Sequence, residues 1–222
     1  SRLNKSINKT VGDDFYDRLT IACHQAFPNR IGKIIATEMA VVYYLLASKA
    51  KKNTSDSEFT YFKKSGIKTV LGVLLFMLIV ETIAVHILLS EWNSTVAWVL
   101  SFISIYTMIQ ILSIIKSMDQ RLITIDHESR MLKLRYGFGC QTSIPFDSII
   151  SIEKTQKSSL LKNHVCLSLF DLLDSNNILI RLYNENTLEK IYGIEKTYQS
   201  ISIFVDKKDL FIEKIEGLIS SK

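Results

Sequence analysis

An α+β membrane protein is what this sequence predicts. A two-span transmembrane helical hairpin follows N-terminal amphipathic, interfacial helices and precedes a small β-barrel or sandwich capped by a C-terminal helix. Three observations carry this. The 222-residue chain has a mean hydropathy of +0.17, where soluble domains usually fall below zero. The apolar excess is concentrated between Thr69 and Ile115, a stretch almost free of charge. From Ser117 onward the apolar period changes from helical to alternating, the mark of half-buried strands. This composition excludes a purely soluble enzyme, a collagen-like chain and a disulfide scaffold. The regions read as 1–68, helical and membrane-associated; 69–116, the hairpin; and 117–222, a cytoplasmic domain.

The N-terminal region comes first. Asp13 and Asp14 can cap a helix through DDFYDRLTIACHQAF, and Phe15, Leu19, Ala22, Cys23 and Ala26 form its apolar stripe. Ser1 to Arg30 is polar, and no secretory signal is read there. Pro28-Asn29 breaks this helix, and a second runs from about Ile31 to Ala50. Lys33 and Glu38 interrupt its apolar run. As a third span it would leave six basic residues outside against three acids. An interfacial or re-entrant helix packed on the hairpin is therefore preferred, with a third span as the alternative. Lys51 to Ser57 reads as a polar linker.

The hairpin is Thr69 to Leu89 and Thr95 to Ile115, 21 residues each. That is about 31 Å of helix, matching a hydrocarbon core of about 30 Å. Glu81 lies inside the first span. A central carboxylate costs about 3 kcal/mol on insertion scales, and the surrounding Leu, Ile, Val and Phe residues together contribute about −4 to −8 kcal/mol. The apolar sum wins. Ser90 to Ser94 is a short connection with one acid, while Lys49, Lys51, Lys52, Lys63, Lys64, Lys68, Lys116 and Arg121 flank the outer ends. By the positive-inside rule the connection faces outward and both long segments face the cytoplasm. Trp92 and Trp98 suit the outer interfacial belt, Tyr61 and Phe62 the inner one.

Beyond the hairpin, Leu122–Asp126 and Met131–Tyr136 read as strands joined by a turn at His127–Arg130. Cys140–Phe146 follows, then a short turn or helix, then strands at Val165–Phe170, Ile178–Tyr183 and Ile201–Val205. Asp206 introduces a last helix with the stripe Phe211, Ile215, Leu218 and Ile219. The alternation points Leu132, Leu134, Val165, Leu167, Leu169, Ile201 and Ile203 inward. The run LKLRYG, the step Ile144-Pro145-Phe146 with Ile149, and the Val205-Asp206 pair before the last helix resemble the pleckstrin-homology-like domains of bacterial membrane proteins. With Glu38 and Tyr43-Tyr44, the whole chain resembles uncharacterised bacterial integral membrane proteins of similar length. The resemblance implies the bacterial inner (plasma) membrane, and an assembly or protein-interaction module rather than an enzyme.

Chemistry-bearing motifs are sparse. No phosphate-binding loop, dinucleotide fingerprint, HExxH or GxSxG occurs. The histidines His24, His86, His127 and His164 fall in separate elements without ligand spacing, so no metal and no cofactor is expected. Asp171 and Asp174 read as a solvated turn. Cys23, Cys140 and Cys166 show no CxxC spacing and read as reduced, cytoplasm-facing thiols. Lys133 and Arg135 are candidates for an anionic surface through the Lys-x-Arg pattern of lipid-binding pleckstrin-homology strands, against the ordinary reading of a solvent-facing strand. The intramembrane polar candidates are Glu38, Glu81, His86 and Tyr106. At the depth of Glu81, Tyr106 and Thr107 are expected donors, and His86 is expected near Trp98. Glu81 then serves either as protonated polar glue between helices or subunits, or as a proton- or ion-coupling carboxyl.

The function expected from these readings is a non-enzymatic, membrane-anchored scaffold. Its partners are the lipid bilayer and either another protein or a second copy of the chain, with no nucleic acid. The alternative is a small transport or channel subunit using its intramembrane acids.

Overall fold

The computed structural model describes residues 14–27, 29–46, 55–154, 163–168 and 176–220. Helix α1 spans Phe15–Ala26, and Asp14 is its N-cap, accepting from the Phe15 N–H at 2.7 Å. Helix α2 spans Asn29–Leu46. It packs against α1 and against the second long helix, as expected of a helix lying on the hairpin. Asp13, Pro28 and residues 47–50 of the predicted elements lie outside the described residues.

Two helices are long and apolar enough to cross a membrane: α3, Ile67–Trp92, and α4, Ser94–Met118. They pack along one another. The connection is tighter than the five residues expected, because both helices run on until only Asn93 is left between them. Asn93 serves both ends: its N–H donates to the Leu89 carbonyl at 2.7 Å, and its side chain accepts from Thr95 and Val96. Around the connection the helices expose large apolar side chains, with Leu88 at 73% and Trp92 at 79%. At the other end the same helices are buried in protein. Ile67, Leu71, Ile111, Ile114 and Met118 join the core of the sheet domain. Tyr61 and Phe62, expected in an interfacial belt, are also buried there, because Tyr61 packs on Tyr136 and its hydroxyl accepts from the Gly137 N–H at 2.7 Å.

The C-terminal region and one short strand from before the hairpin form an eight-stranded mixed sheet: β1 (Glu58–Phe59), β2 (Ile123–Asp126), β3 (Met131–Tyr136), β4 (Cys140–Pro145), β5 (Ile149–Lys154), β6 (His164–Cys166), β7 (Ile178–Lys190) and β8 (Glu195–Ile203). The order is β1-β2-β3-β4-β7-β8-β6, with β5 paired to β7 off this path. Long β7 branches the sheet. Its first half lies between β5 and β8, its second between β4 and β8, and the register shifts between Arg181 and Asn186 let it bend. Helix α5, Lys208–Ser220, buries Phe211, Ile212 and Ile215 against the sheet, with Phe211 edge-on to Phe59. The Asp206 carboxylate accepts from the Lys63 and Lys64 N–H groups and so ties the entry of α5 to the approach of α3.

The hydrophobic core is continuous across the region boundary at 117. Tyr44 of α2 stacks on Phe138 of the β3–β4 turn at 5.6 Å, and Tyr16 of α1 lies against the same ring. Gly137 makes that approach possible. Its φ is +51°, and a Cβ there would sit 2.4 Å from the Ser117 hydroxyl at the end of α4.

Candidate functional site

The polar residues of the helical region form three groups at different depths. Glu38 of α2 accepts from the Tyr106 hydroxyl of α4 at 2.6 Å and from the Tyr192 hydroxyl at 3.1 Å. Gln110, one turn further along α4, donates to Tyr106 at 2.8 Å and to Tyr192. Tyr192 lies on the 3-10 turn Ile191–Gly193 between β7 and β8, and it adopts the left-handed region with φ +61°. Beside it, a Cβ on Gly193 would lie 2.1 Å from Lys33, whose ammonium pairs with Glu189 and Glu195 at 2.8 Å each. Burial disfavours the Lys33 charge, but the two carboxylates outweigh it and raise its pKa. Further along, Ser113 donates to the Val41 carbonyl at 2.8 Å and Lys116 to the Leu45 carbonyl at 2.6 Å. The tip of the β7–β8 hairpin, α2 and α4 are thus latched together.

This latch corrects one expectation: Tyr106 donates to Glu38, not to Glu81. Thr107 donates to its own helix at Ile103. Glu81 instead borders a groove of about 230 Å³ between α3 and α4, with Thr82, Ser101 and Ser104. His86 is where it was expected, edge-on to Trp98 at 5.0 Å, with Nδ1 2.7 Å from the Ser101 hydroxyl. Tyr106 is only twelve residues along α4 from Ser94. That is about 18 Å of helix, well short of a hydrocarbon core of about 30 Å. The latch therefore lies within the span drawn from hydropathy, and α2 and the hairpin tip flank the helices there.

Lys133 and Arg135 lie on β3 and line an open cleft of about 810 Å³ with Asp17, Gln141, Thr142 and Glu189. Lys133 pairs with Asp126 at 3.1 Å and Arg135 with Asp17 at 2.5 Å. Each cation is thus neutralised inside the chain. The larger network behind the cleft was not legible in the sequence. Arg121 is wholly buried, pairs with Asp14 at 3.1 Å and Asp17 at 2.7 Å, reaches Gln141 at 2.7 Å and lies over the Tyr16 ring. Burial opposes its charge, and Asp17 with its anionic neighbours overrides this to keep it protonated. Asp17 bridges Arg121 and Arg135 and so fastens α1 to the sheet. Among the described residues no group of three or more His, Cys, Asp or Glu could hold a metal ion. Asp171 and Asp174 lie outside them.

No family model, no curated protein and no solved structure matches this chain.

Proposed function

We propose that this protein is a membrane-anchored scaffold that presents a pleckstrin-homology-like domain at the cytoplasmic face of a bacterial inner membrane, without catalysis. The observation that carries this reading is mechanical continuity. One hydrophobic core runs from the inner ends of α3 and α4 into the sheet, and the Glu38–Tyr106–Tyr192 latch fixes the β7–β8 hairpin to the same helices. A domain tethered for reach would hang on a polar linker. Here the domain is held in one orientation to the anchor, which suits a protein that positions a partner at a surface. A transport or channel subunit is the second reading, and the Glu81 groove with its Thr82, Ser101 and Ser104 hydroxyls favours it.

Photo-crosslinking from the exposed positions Ser129 and Tyr183 in native membranes tests the first reading. Capture of one defined protein, abolished when the latch is broken by Glu38→Ala with Tyr192→Ala, is the expected result. Ion flux by the purified protein in liposomes, lost in Glu81→Gln, would overturn it in favour of transport.

A further inference from the structure

Three cysteines occupy three different environments. Cys23 is buried, and burial raises the pKa of its thiol. Cys140 is buried and donates to the Ser168 carbonyl at 3.4 Å. Cys166 is half-buried on β6, which pairs in parallel with β8 in the register His164↔Ser200 and Cys166↔Ser202. Val165 and Ile201 between them point into the core, so His164, Cys166, Ser200 and Ser202 share the other face.

On that face His164 is held at both ring nitrogens. Nδ1 lies 3.1 Å from the Ser200 hydroxyl, and Nε2 lies 3.2 Å from the Ser202 hydroxyl and 3.7 Å from the Cys166 sulfur. With the ring proton on Nδ1 and donated to Ser200, Nε2 offers its lone pair to the thiol. The Asn176 amide donates to the same sulfur at 3.3 Å, a contact that favours a thiolate. The carbonyl oxygen of that amide is buried and has no hydrogen-bond partner among the described residues. A base beside a nucleophile, with the base oriented by a third group, is the arrangement that activates cysteine. On the neighbouring β7 the Glu185 carboxylate accepts from Asn163 at 3.0 Å, next to His164 in the chain.

We propose that Cys166 is a peroxide-reactive thiol, with His164 as its base and the Asn176 carbonyl as acceptor for the sulfenic acid it forms. The thiol proton passes to Nε2. The sulfur attacks one oxygen of a hydroperoxide, an S–O bond forms and the O–O bond breaks. The departing oxygen takes the proton back from the imidazolium and leaves as water or alcohol. Sulfur loses two electrons and the peroxide gains them. The new S–O–H group can then donate to the buried Asn176 oxygen. This site is independent of the scaffold reading, because it needs neither a partner nor the membrane helices.

The test is alkylation of the full-length protein in detergent by iodoacetamide across pH, with each cysteine followed by mass spectrometry, and dimedone capture after hydrogen peroxide. Cys166 is expected to react at least about tenfold faster than Cys23 and Cys140 at pH 7, with a midpoint well below the ordinary thiol value of about 8.5. His164→Gln should return the midpoint toward about 8.5 and cut dimedone capture about tenfold, and Ser200→Ala should act in the same direction with a smaller effect. A wild-type midpoint at about 8.5 overturns the proposal without any variant. So does a depressed midpoint that neither substitution moves.

Discussion

Leu71 and Leu88 belong to the same helix and to the same apolar run, yet Leu71 is 2% exposed and Leu88 is 73% exposed. The difference divides the hairpin into two ends. Toward Asn93 the helices carry Ile83, Leu88, Trp98 and Phe102 largely exposed, and hydrocarbon is the solvent that such a surface suits. At the inner end, Ile67, Leu71, Ile111, Ile114 and Met118 face Tyr61, Tyr136 and the sheet. Hydropathy reads both ends alike, because lipid tails and a protein core reward the same side chains. What separates them is the polar layer of Glu38, Tyr106, Gln110 and Tyr192, which interrupts the exposed apolar surface on one side about 18 Å from the connection.

The largest effect expected lies behind the inner end. Arg121→Ala removes the cation that holds Asp14 and Asp17, and loss of one partner of a buried pair costs about 3–5 kcal/mol. Denaturant melts in detergent should show that loss, with α1 released to proteolysis. A change below about 1 kcal/mol would mean α1 is not fastened there.

Next comes the comparison itself. Leu71→Ala should cost about 3 kcal/mol by opening a cavity in the protein core, as should Phe211→Ala under α5. Leu88→Ala should cost under about 1 kcal/mol, because no packed neighbours are lost. Equal losses at Leu71 and Leu88 would erase the division between the two ends.

Glu81 sharpens the account of the exposed apolar end. Glu81→Gln keeps the shape of a neutral carboxyl and should fold as the parent does, while Glu81→Lys should cost about 2–3 kcal/mol and lower the membrane yield. If both variants fold and both abolish function, a titrating carboxyl replaces polar glue as the account of this position.

The smallest effect belongs to the water-facing sheet. Hydrogen bonds from Ser129, followed by Lys133, hold the Asp126 pKa down at about 2. A depressed folded-state pKa adds stability above the unfolded value, and that stability is lost as pH falls from about 4 through about 2. Solvent screening limits it to about 1 kcal/mol, so Asp126→Asn should destabilise by that amount at pH 7 and by only a small part of it at pH 2. Melts at the two pH values check this, and a loss equal at both would remove the charge from the explanation.

The sequence made the hairpin, α1, β3 and the stripe of α5 legible, because each rests on a local period. Leu132, Leu134, Val165, Leu167, Ile201 and Ile203 are buried as the alternation requires, while Leu169 lies outside the described residues. Two strands escaped. Glu58–Phe59 is too short to show a period beside a polar linker, and Ile149–Lys154 follows Pro145 and a 3-10 turn that reads as a break. Strand β7 continues to Lys190, past Tyr183; Asn184 to Glu189 is polar apart from the buried Leu188, so it shows no apolar period, and pairing with β8 and β4 keeps it extended. Candidate residues fared according to their partners. His86 and Trp98 meet because the hairpin geometry alone brings them together. Tyr106 finds Glu38 instead of Glu81, and Tyr192 was missed, because the β7–β8 turn reaches this layer only through tertiary folding. His164 and Cys166 did carry a signal: two residues apart on a strand, they share a face.

The most direct test of a membrane-anchored domain held on the cytoplasmic side is cysteine labelling with an impermeant maleimide in intact bacterial cells. Asn93→Cys, at the connection, and Ser129→Cys, on the exposed β2–β3 turn, are placed in a chain whose native cysteines are alanine. Labelling of position 93 in intact cells, with position 129 labelled only after permeabilisation, is the predicted result. Labelling of position 129 from outside, or protection of position 93 until the cells are opened, would contradict the orientation and with it the cytoplasmic scaffold.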